Sequence, residues 1–327
     1  MNQKTVRIAL RDAMAEEMRR DPNVFLMGED VALYNGIYKV SQGLLEEFGE
    51  KRVIDTPITE YGFTGIGIAS SFCGLRPIVE FMRFDFAMQA IDHIINVAAK
   101  ELYMSGGTIS CPIVFRGPNS VAKSSGAQHS QCFASWYAHC PGLKVVSPYT
   151  SFEAQALLKA AIRDDNPIVF LEHENLYGKS FDVPDGEVEP IPLDKAIIMR
   201  EGTDITITAF SASVEYAMKA AEILQDVHGL SAEVINLISL RPIDRESIVK
   251  SVKKTGRIIN VEEGWAVCGI GSEIISIVVE DAFDYLDAEP ARICGREVPM
   301  PVAPNLEALV VPRAEQVVES AKKLCNR

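Results

Sequence analysis

No run in this sequence reaches the roughly 18–20 continuous apolar residues of a membrane-crossing helix, so a spanning role has no support. The opening residues, MNQKTVRIALRDAM, lack the apolar core of a signal peptide and pass almost at once into an amphipathic helix. The seven cysteines (73, 111, 132, 140, 268, 294 and 325) include no C-x-x-C pair and leave an odd count. They read as reduced thiols of a cytosolic protein, not as disulfides or a zinc site, and the expected location is the cytoplasm. None of the five histidines forms H-x-x-x-H, which removes the ligand pair of a zinc hydrolase. There is no G-x-x-x-x-G-K-[ST] phosphate loop and no G-x-S-x-G elbow, which disfavours P-loop enzymes and α/β-hydrolases. There is also no block of Lys or Arg, and the net charge is −13. An acidic surface repels phosphate backbones and anionic lipid, so neither nucleic acid nor a membrane is an expected partner.

What is present is ordinary globular material. The chain has 327 residues, 47% hydrophobic and 24% charged. At roughly 100–200 residues per domain, two domains are expected. Short β-branched runs alternate with helical stretches: KRVIDTP, a helix from Glu60 to Cys73, RPIVEFM, a helix from Ala87 to Met104, PIVFRG, LKVVSP, a helix from Ser151 to Arg163, and PIVFLE. Such alternation predicts a mostly parallel sheet covered by helices, an α/β fold, over residues 1–176. Residues 177–193, with three prolines and no apolar period, read as an inter-domain linker. The alternation then restarts through DITITAF, SAEVINL, RIINVEE and ARICG, giving a smaller α/β domain over residues 194–327.

Two partial glycine fingerprints, at Gly65 and Gly67 and at Gly269 and Gly271, fail at the third position, where Ser70 and Ile274 stand. They read as close-packing glycines, which argues against direct NAD binding by a Rossmann dehydrogenase. Glu172-His173-Glu174 ends a strand and reads as a solvated exit, with cation binding as the alternative. Glu60 opens a helix among Ile58, Tyr61 and Phe63. A carboxylate there is commonly a dipole partner, but apolar neighbours would raise its proton affinity and suit it to proton transfer. His129 lies in a loop of Gly, Ser and Gln, a better setting for catalysis than an apolar face; His139, beside Cys140 and Pro141, reads as structural.

The runs GEDV, IDTPITEYGFTGIGIASSFCGLRPIVEFMRFDFAMQAIDHIINVAAKELYMSGG, PIVFRGPN, AQHSQCFASWYAHCPGLKVVSP, AIRDDNP and VEEGW occur in this order. Together they resemble the β subunit of the thiamine diphosphate-dependent decarboxylase component of 2-oxo acid dehydrogenase complexes, over essentially the whole chain. The resemblance implies a transketolase-like pyrimidine-binding domain followed by a transketolase-type C-terminal domain. It implies half of a cofactor site, with the diphosphate and Mg²⁺ on a separate α subunit of an α2β2 heterotetramer. In agreement, the Gly-Asp-Gly that opens the family's diphosphate motif is missing here.

Residue by residue, the resemblance gives Glu60 the role of hydrogen-bonding the pyrimidine N1′ and favouring the tautomer that takes the C2 proton. Met82 and Phe86 become the wall against the pyrimidine. His129 lies near the substrate carboxylate and the incoming lipoyl group of the acyltransferase core. The backbone carbonyls of Ile113, Ala161, Asp164 and Asn166 would hold potassium. Glu29 and Asp92 match acidic positions near a tunnel joining two cofactors, with turn capping and local pairing as the alternatives. Pyruvate is the implied substrate. Acetoin, a branched-chain 2-oxo acid, or a non-catalytic assembly role are the alternatives. Arg83 and Asp85 place charges beside the wall with no role legible from sequence.

Overall fold

The structure, a computed structural model, describes residues 2–121 and 123–326. In chain order the first elements are β1 (Asn2–Thr5), α1 (Val6–Arg20), β2 (Val24–Gly28), α2 (Leu44–Phe48), β3 (Val53–Asp55), α3 (Glu60–Phe72), β4 (Arg76–Glu80), α4 (Phe84–Ala87) and α5 (Glu101–Met104). Then come β5 (Val114–Pro118), α6 (Ala134–Ala138), β6 (Lys144–Val146), α7 (Ser151–Arg163), β7 (Ile168–Glu172) and β8 (Ser180–Val183). Two compact units emerge. One takes Met1–Asn119 and Trp136–Leu193; the other takes Ser120–Ser135 and Asp194–Arg327.

In the first unit β6, β7, β5, β4, β2 and β3 lie side by side. All run parallel. Every residue of β2, β5 and β7 is buried, as expected where helices cover both faces of a parallel sheet. Helix α1 buries Ala9, Leu10, Ala13, Met14 and Met18 along one stripe and packs on α7. A capping box between Thr150 and Glu153 starts α7.

Residues 177–193, expected as a linker, carry more structure than their prolines suggest. Here β8 pairs antiparallel with β1, and Val183 and Val188 pack against Ala156. The stretch expected as one helix over Ala87–Met104 is broken into a 3₁₀ turn (Met88–Ala90), a π-helical segment (His93–Ala98) and α5.

The second unit contains β9 (Ile197–Arg200), β10 (Ile205–Ala209), α8 (Ser213–His228), β11 (Ala232–Asn236), β12 (Ser239–Arg241), α9 (Arg245–Thr255), β13 (Ile258–Trp265), α10 (Ile270–Ala282), β14 (Ala291–Gly295), α11 (Pro304–Val310) and α12 (Ala314–Leu324). Its sheet runs β14-β13-β10-β11-β9, with only β9 antiparallel. The glycine pairs serve close packing, as their sequence context suggested. A Cβ on Gly67 would come 2.8 Å from Val79 Cγ2, and one on Gly269 would come 2.7 Å from Glu262 Oε1.

Candidate active site

In a parallel α/β sheet, ligands gather beyond the carboxyl ends of the strands. Two of the three acidic candidates stand there: Glu29 directly follows β2, and Glu60 opens α3 after β3. Helix α3 begins where it does because the Thr59 side chain caps it, accepting from the Gly62 N–H at 3.3 Å. Glu60 is buried, at 4% exposure. Of its three apolar neighbours in sequence, only Phe63 is buried; Ile58 is 83% and Tyr61 52% exposed. Phe63 packs on Phe81, with ring centroids 5.8 Å apart. That contact ties the helix bearing Glu60 to the end of β4, where Met82 and Phe86 follow. Both of these are half-buried.

Two carboxylate oxygens at this edge are anomalous. Glu60 Oε2 and Glu29 Oε1 are buried with no hydrogen-bond partner among the described residues. Buried polar atoms are nearly always paired, so two orphans side by side call for a donor, a proton or a ligand. Burial pushes the Glu29 carboxyl up to about 7, with further contributions from the charges of Glu60 and then Asp30. This fits a site in which a protonated ring or a shared proton meets carboxylates.

The raised Glu29 affinity has a consequence for stability. Its carboxyl holds a proton in the folded chain up to about pH 7, whereas an ordinary glutamate releases it near 4.5. Between those values the folded state binds more protons, so this group's contribution to stability falls as pH rises and levels off above about 7. Glu262, buried on β13 where it accepts from the Ile270 and Gly271 N–H groups that open α10, is also pushed up to about 7 and adds a similar slope. The useful quantity is therefore the difference between wild type and Glu29→Gln. Denaturation of the purified chain should show the variant gaining on wild type from pH 5 to 8. Parallel curves across that range would mean Glu29 titrates normally.

The remaining candidates fall in different places. Asp92 is exposed and accepts a hydrogen bond from Asn96 Nδ2 at 2.7 Å, immediately before the π-helical segment. His129 ends a short 3₁₀ turn, half-buried, its N–H donating to the Gly126 carbonyl at 3.3 Å. Its loop is anchored within the second unit, where Ser120 bonds Glu263 and the Ser124 N–H donates to Glu307 Oε2 at 2.7 Å.

For the cation site, Ile113 O accepts from the Ile168 N–H at 2.9 Å, and Ala161 O from the Asp164 N–H at 3.3 Å. Arg76 Nη1 donates to Asp164 O at 3.1 Å. The Asp164 carboxylate bonds Lys144 and accepts from the Asn166 N–H at 2.9 Å. Each carbonyl keeps a second lone pair, and three of these residues end or follow α7, at the negative end of its dipole. The donor set suits a hard cation. No His, Cys, Asp and Glu cluster among the described residues makes a rival site.

Sequence reasoning missed two buried guanidinium hubs. Arg116, 1% exposed, ion-pairs with Glu80 on β4 and with Glu172 on β7, its Nε lying 2.6 Å from Glu172 Oε1. Glu172 also accepts from Tyr177 Oη at 2.6 Å. The expected solvated exit at Glu172-His173 is thus corrected: both are buried, and His173 Nδ1 accepts from the Asn175 N–H at 3.1 Å. The signal was legible. An arginine inside the buried run PIVFRG needs a counter-charge, and Glu80 is its register partner on the adjacent strand. The second hub, Arg83, pairs with Asp85 and Glu174.

Comparison with known proteins places these features in a family. Residues 2–179 match the transketolase pyrimidine binding domain and residues 194–317 the transketolase C-terminal domain. Two solved structures share the fold. A split-gene transketolase, described as an inactive β4 tetramer, superposes with a TM-score of 0.80 at 21% identity, covering 98% of each chain. The transketolase from Leishmania mexicana gives 0.74 at 15% identity, covering 100% of this chain and 46% of its own. The class is therefore a two-domain transketolase-type chain. Within it, the chain is 59% identical to the pyruvate dehydrogenase E1 component subunit β-1 of Oryza sativa, covering 99% of this chain and 87% of the relative. It is 58% identical to the corresponding subunit β of Rickettsia felis, covering 99% and 98%. It belongs to the family of pyruvate dehydrogenase E1 component β subunits.

Proposed function

We propose that this chain is the β half of a pyruvate-decarboxylating enzyme that works with an α subunit as α2β2 and passes its acetyl product to the lipoyl group of an acyltransferase core. The observation that carries this is the buried, unpartnered Glu60 oxygen at the start of a helix that packs on the Met82–Phe86 segment. Thiamine diphosphate bound there supplies an electron sink that lets a 2-oxo acid lose CO₂.

In this reading Glu60 holds or moves a proton at the pyrimidine N1′, a service worth about 10²–10⁴-fold. Met82 and Phe86 exclude water from that contact, which strengthens it. The α subunit holds the diphosphate and its Mg²⁺. His129 takes the substrate end as a proton donor. The carbonyls of Ile113, Ala161, Asp164 and Asn166 hold potassium and fix the end of α7. Glu29, buried and orphaned beside Glu60, is the first member of a proton path. Asp92, exposed on this chain, would join that path only across a subunit boundary. Among the described residues no helix is long and apolar enough to cross a membrane.

Co-expression with an α subunit, followed by decarboxylation assays with an artificial electron acceptor, tests the reading. Pyruvate should be turned over in preference to branched-chain 2-oxo acids and acetoin. The chain alone should show no calorimetric binding of thiamine diphosphate at micromolar concentration. Tight binding by the isolated chain, or a preference for a branched-chain acid, would refute it.

A further inference from the structure

We propose that Arg83 is a positioning residue that clamps the Met82–Phe86 wall to the loop following β2, and so sets the gap into which the cofactor's pyrimidine fits. The inference rests on the reading of Met82 and Phe86 given above. Arg83 is 4% exposed, beside the site and inside the first unit. Its Nε donates to Asp85 Oδ2 at 3.0 Å and its Nη1 to Glu174 Oε2 at 2.6 Å. Tyr38 Oη donates to the same Glu174 oxygen at 3.2 Å. One guanidinium thus joins three segments: the wall itself, the exit of β7, and the loop that begins at Glu29 and carries Tyr38.

The wall hangs directly on this residue. Met82 precedes Arg83, and the Phe86 N–H donates to the Arg83 carbonyl at 3.0 Å, closing a single turn. This turn opens a helical stretch that continues through the Met88–Ala90 3₁₀ turn to the π-helical His93–Ala98, and Arg83 stands at its N-cap, so the Arg83 side-chain anchors fix where that stretch begins. The clamp is also tied to the deeper hub, since the Tyr38 ring lies 5.2 Å from that of Tyr177, whose hydroxyl bonds Glu172. Burial pulls the Arg83 guanidinium toward losing its proton, but its hydrogen bonds and the charge of Asp85 more than offset this, so it stays a fixed cation. Only arginine fits the role: its planar fork reaches two acceptors in different directions, whereas a lysine ammonium holds a single point.

The test is Arg83→Lys in the assembled α2β2 enzyme, which keeps the charge and loses the fork. A displaced wall should raise the KM for thiamine diphosphate by about 10- to 100-fold. It should also slow C2 proton–deuterium exchange at saturating cofactor, leaving the KM for pyruvate near wild type. If Arg83→Lys lowers only the melting temperature and leaves cofactor KM and exchange unchanged, the clamp is merely structural and the proposal is overturned. Should that variant fail to assemble, Tyr38→Phe removes one hydroxyl from Glu174 and should shift cofactor KM in the same direction by less; no shift overturns the proposal. Phe86→Ala separates the two levels. If it leaves cofactor KM unchanged, the wall reading falls and the clamp with it. If it raises cofactor KM while Arg83→Lys does not, the clamp alone falls.

Discussion

Glu60→Gln, in the assembled enzyme, should lower the rate of C2 proton exchange on thiamine diphosphate by about 10²–10⁴-fold while leaving the fold intact. Glutamine matches the shape of the carboxyl group and still forms hydrogen bonds, so the start of α3 survives. The Thr59 cap is untouched. What disappears is a group able to hold and release a proton, at a position where a buried carboxylate oxygen has no partner within the described residues. Loss of a charge near a helix N-terminus costs roughly 0.3–1 kcal/mol, too little to unfold a chain of this size. Exchange followed by NMR, with denaturation as the control, distinguishes the roles. Wild-type exchange with slightly lower stability would leave Glu60 as a dipole partner only.

The same variant has a second readout. The charge of Glu60 is one cause of the raised Glu29 affinity, after burial. With Gln at position 60, Glu29 should titrate lower, and the fall in stability between pH 5 and 8 should shrink. An unchanged slope would mean that the two carboxyls do not sense one another.

The elements that carry the candidate site were legible in the sequence because their signals are local. The helix start at Glu60 follows from Thr59 and a run of small residues, and the observed α3 ends one residue short of the expected Cys73. The apolar runs at β4, β5 and β7 announce a buried parallel sheet. What stayed hidden depends on distant partners. Strands β1 and β8 are exposed, mixed-polarity segments, and they become strands only by pairing across nearly the whole first unit. The break in the expected Ala87–Met104 helix is another such case. His93 crosses Gly65, where a Cβ would lie 2.8 Å from its Nε2, and stacks on Tyr61 with ring centroids 4.0 Å apart. Hydrophobic periodicity carries no trace of that contact. The acidic triplet at Glu172 looked solvated because its counter-charge, Arg116, lies 56 residues away.

Arg116→Met is expected to destabilise the chain by about 3–5 kcal/mol, the usual cost of removing one member of a buried ionic set. The side chain is 1% exposed, and Met fills a similar volume, so lost packing is not the main effect. The damage comes from Glu80 and Glu172, left facing one another in a dry sheet interior. Burial already pushes the Glu80 carboxyl up; Arg116 opposes that push, and Glu172 adds to it. Without Arg116 the opposition vanishes, and the Glu80 carboxyl should hold its proton to higher pH in the folded state. A folded affinity above the unfolded one favours folding less as pH rises, so the deficit of the variant should widen from pH 5 to pH 8. Adding Glu80→Gln and Glu172→Gln should recover part of the loss and flatten that dependence, because no buried charge then lacks a partner. Urea denaturation of the purified chain at the two pH values measures both effects. A pH-independent deficit under about 1 kcal/mol would show that the Glu80–Arg116–Glu172 set is solvated and contributes little, as exposed ion pairs do.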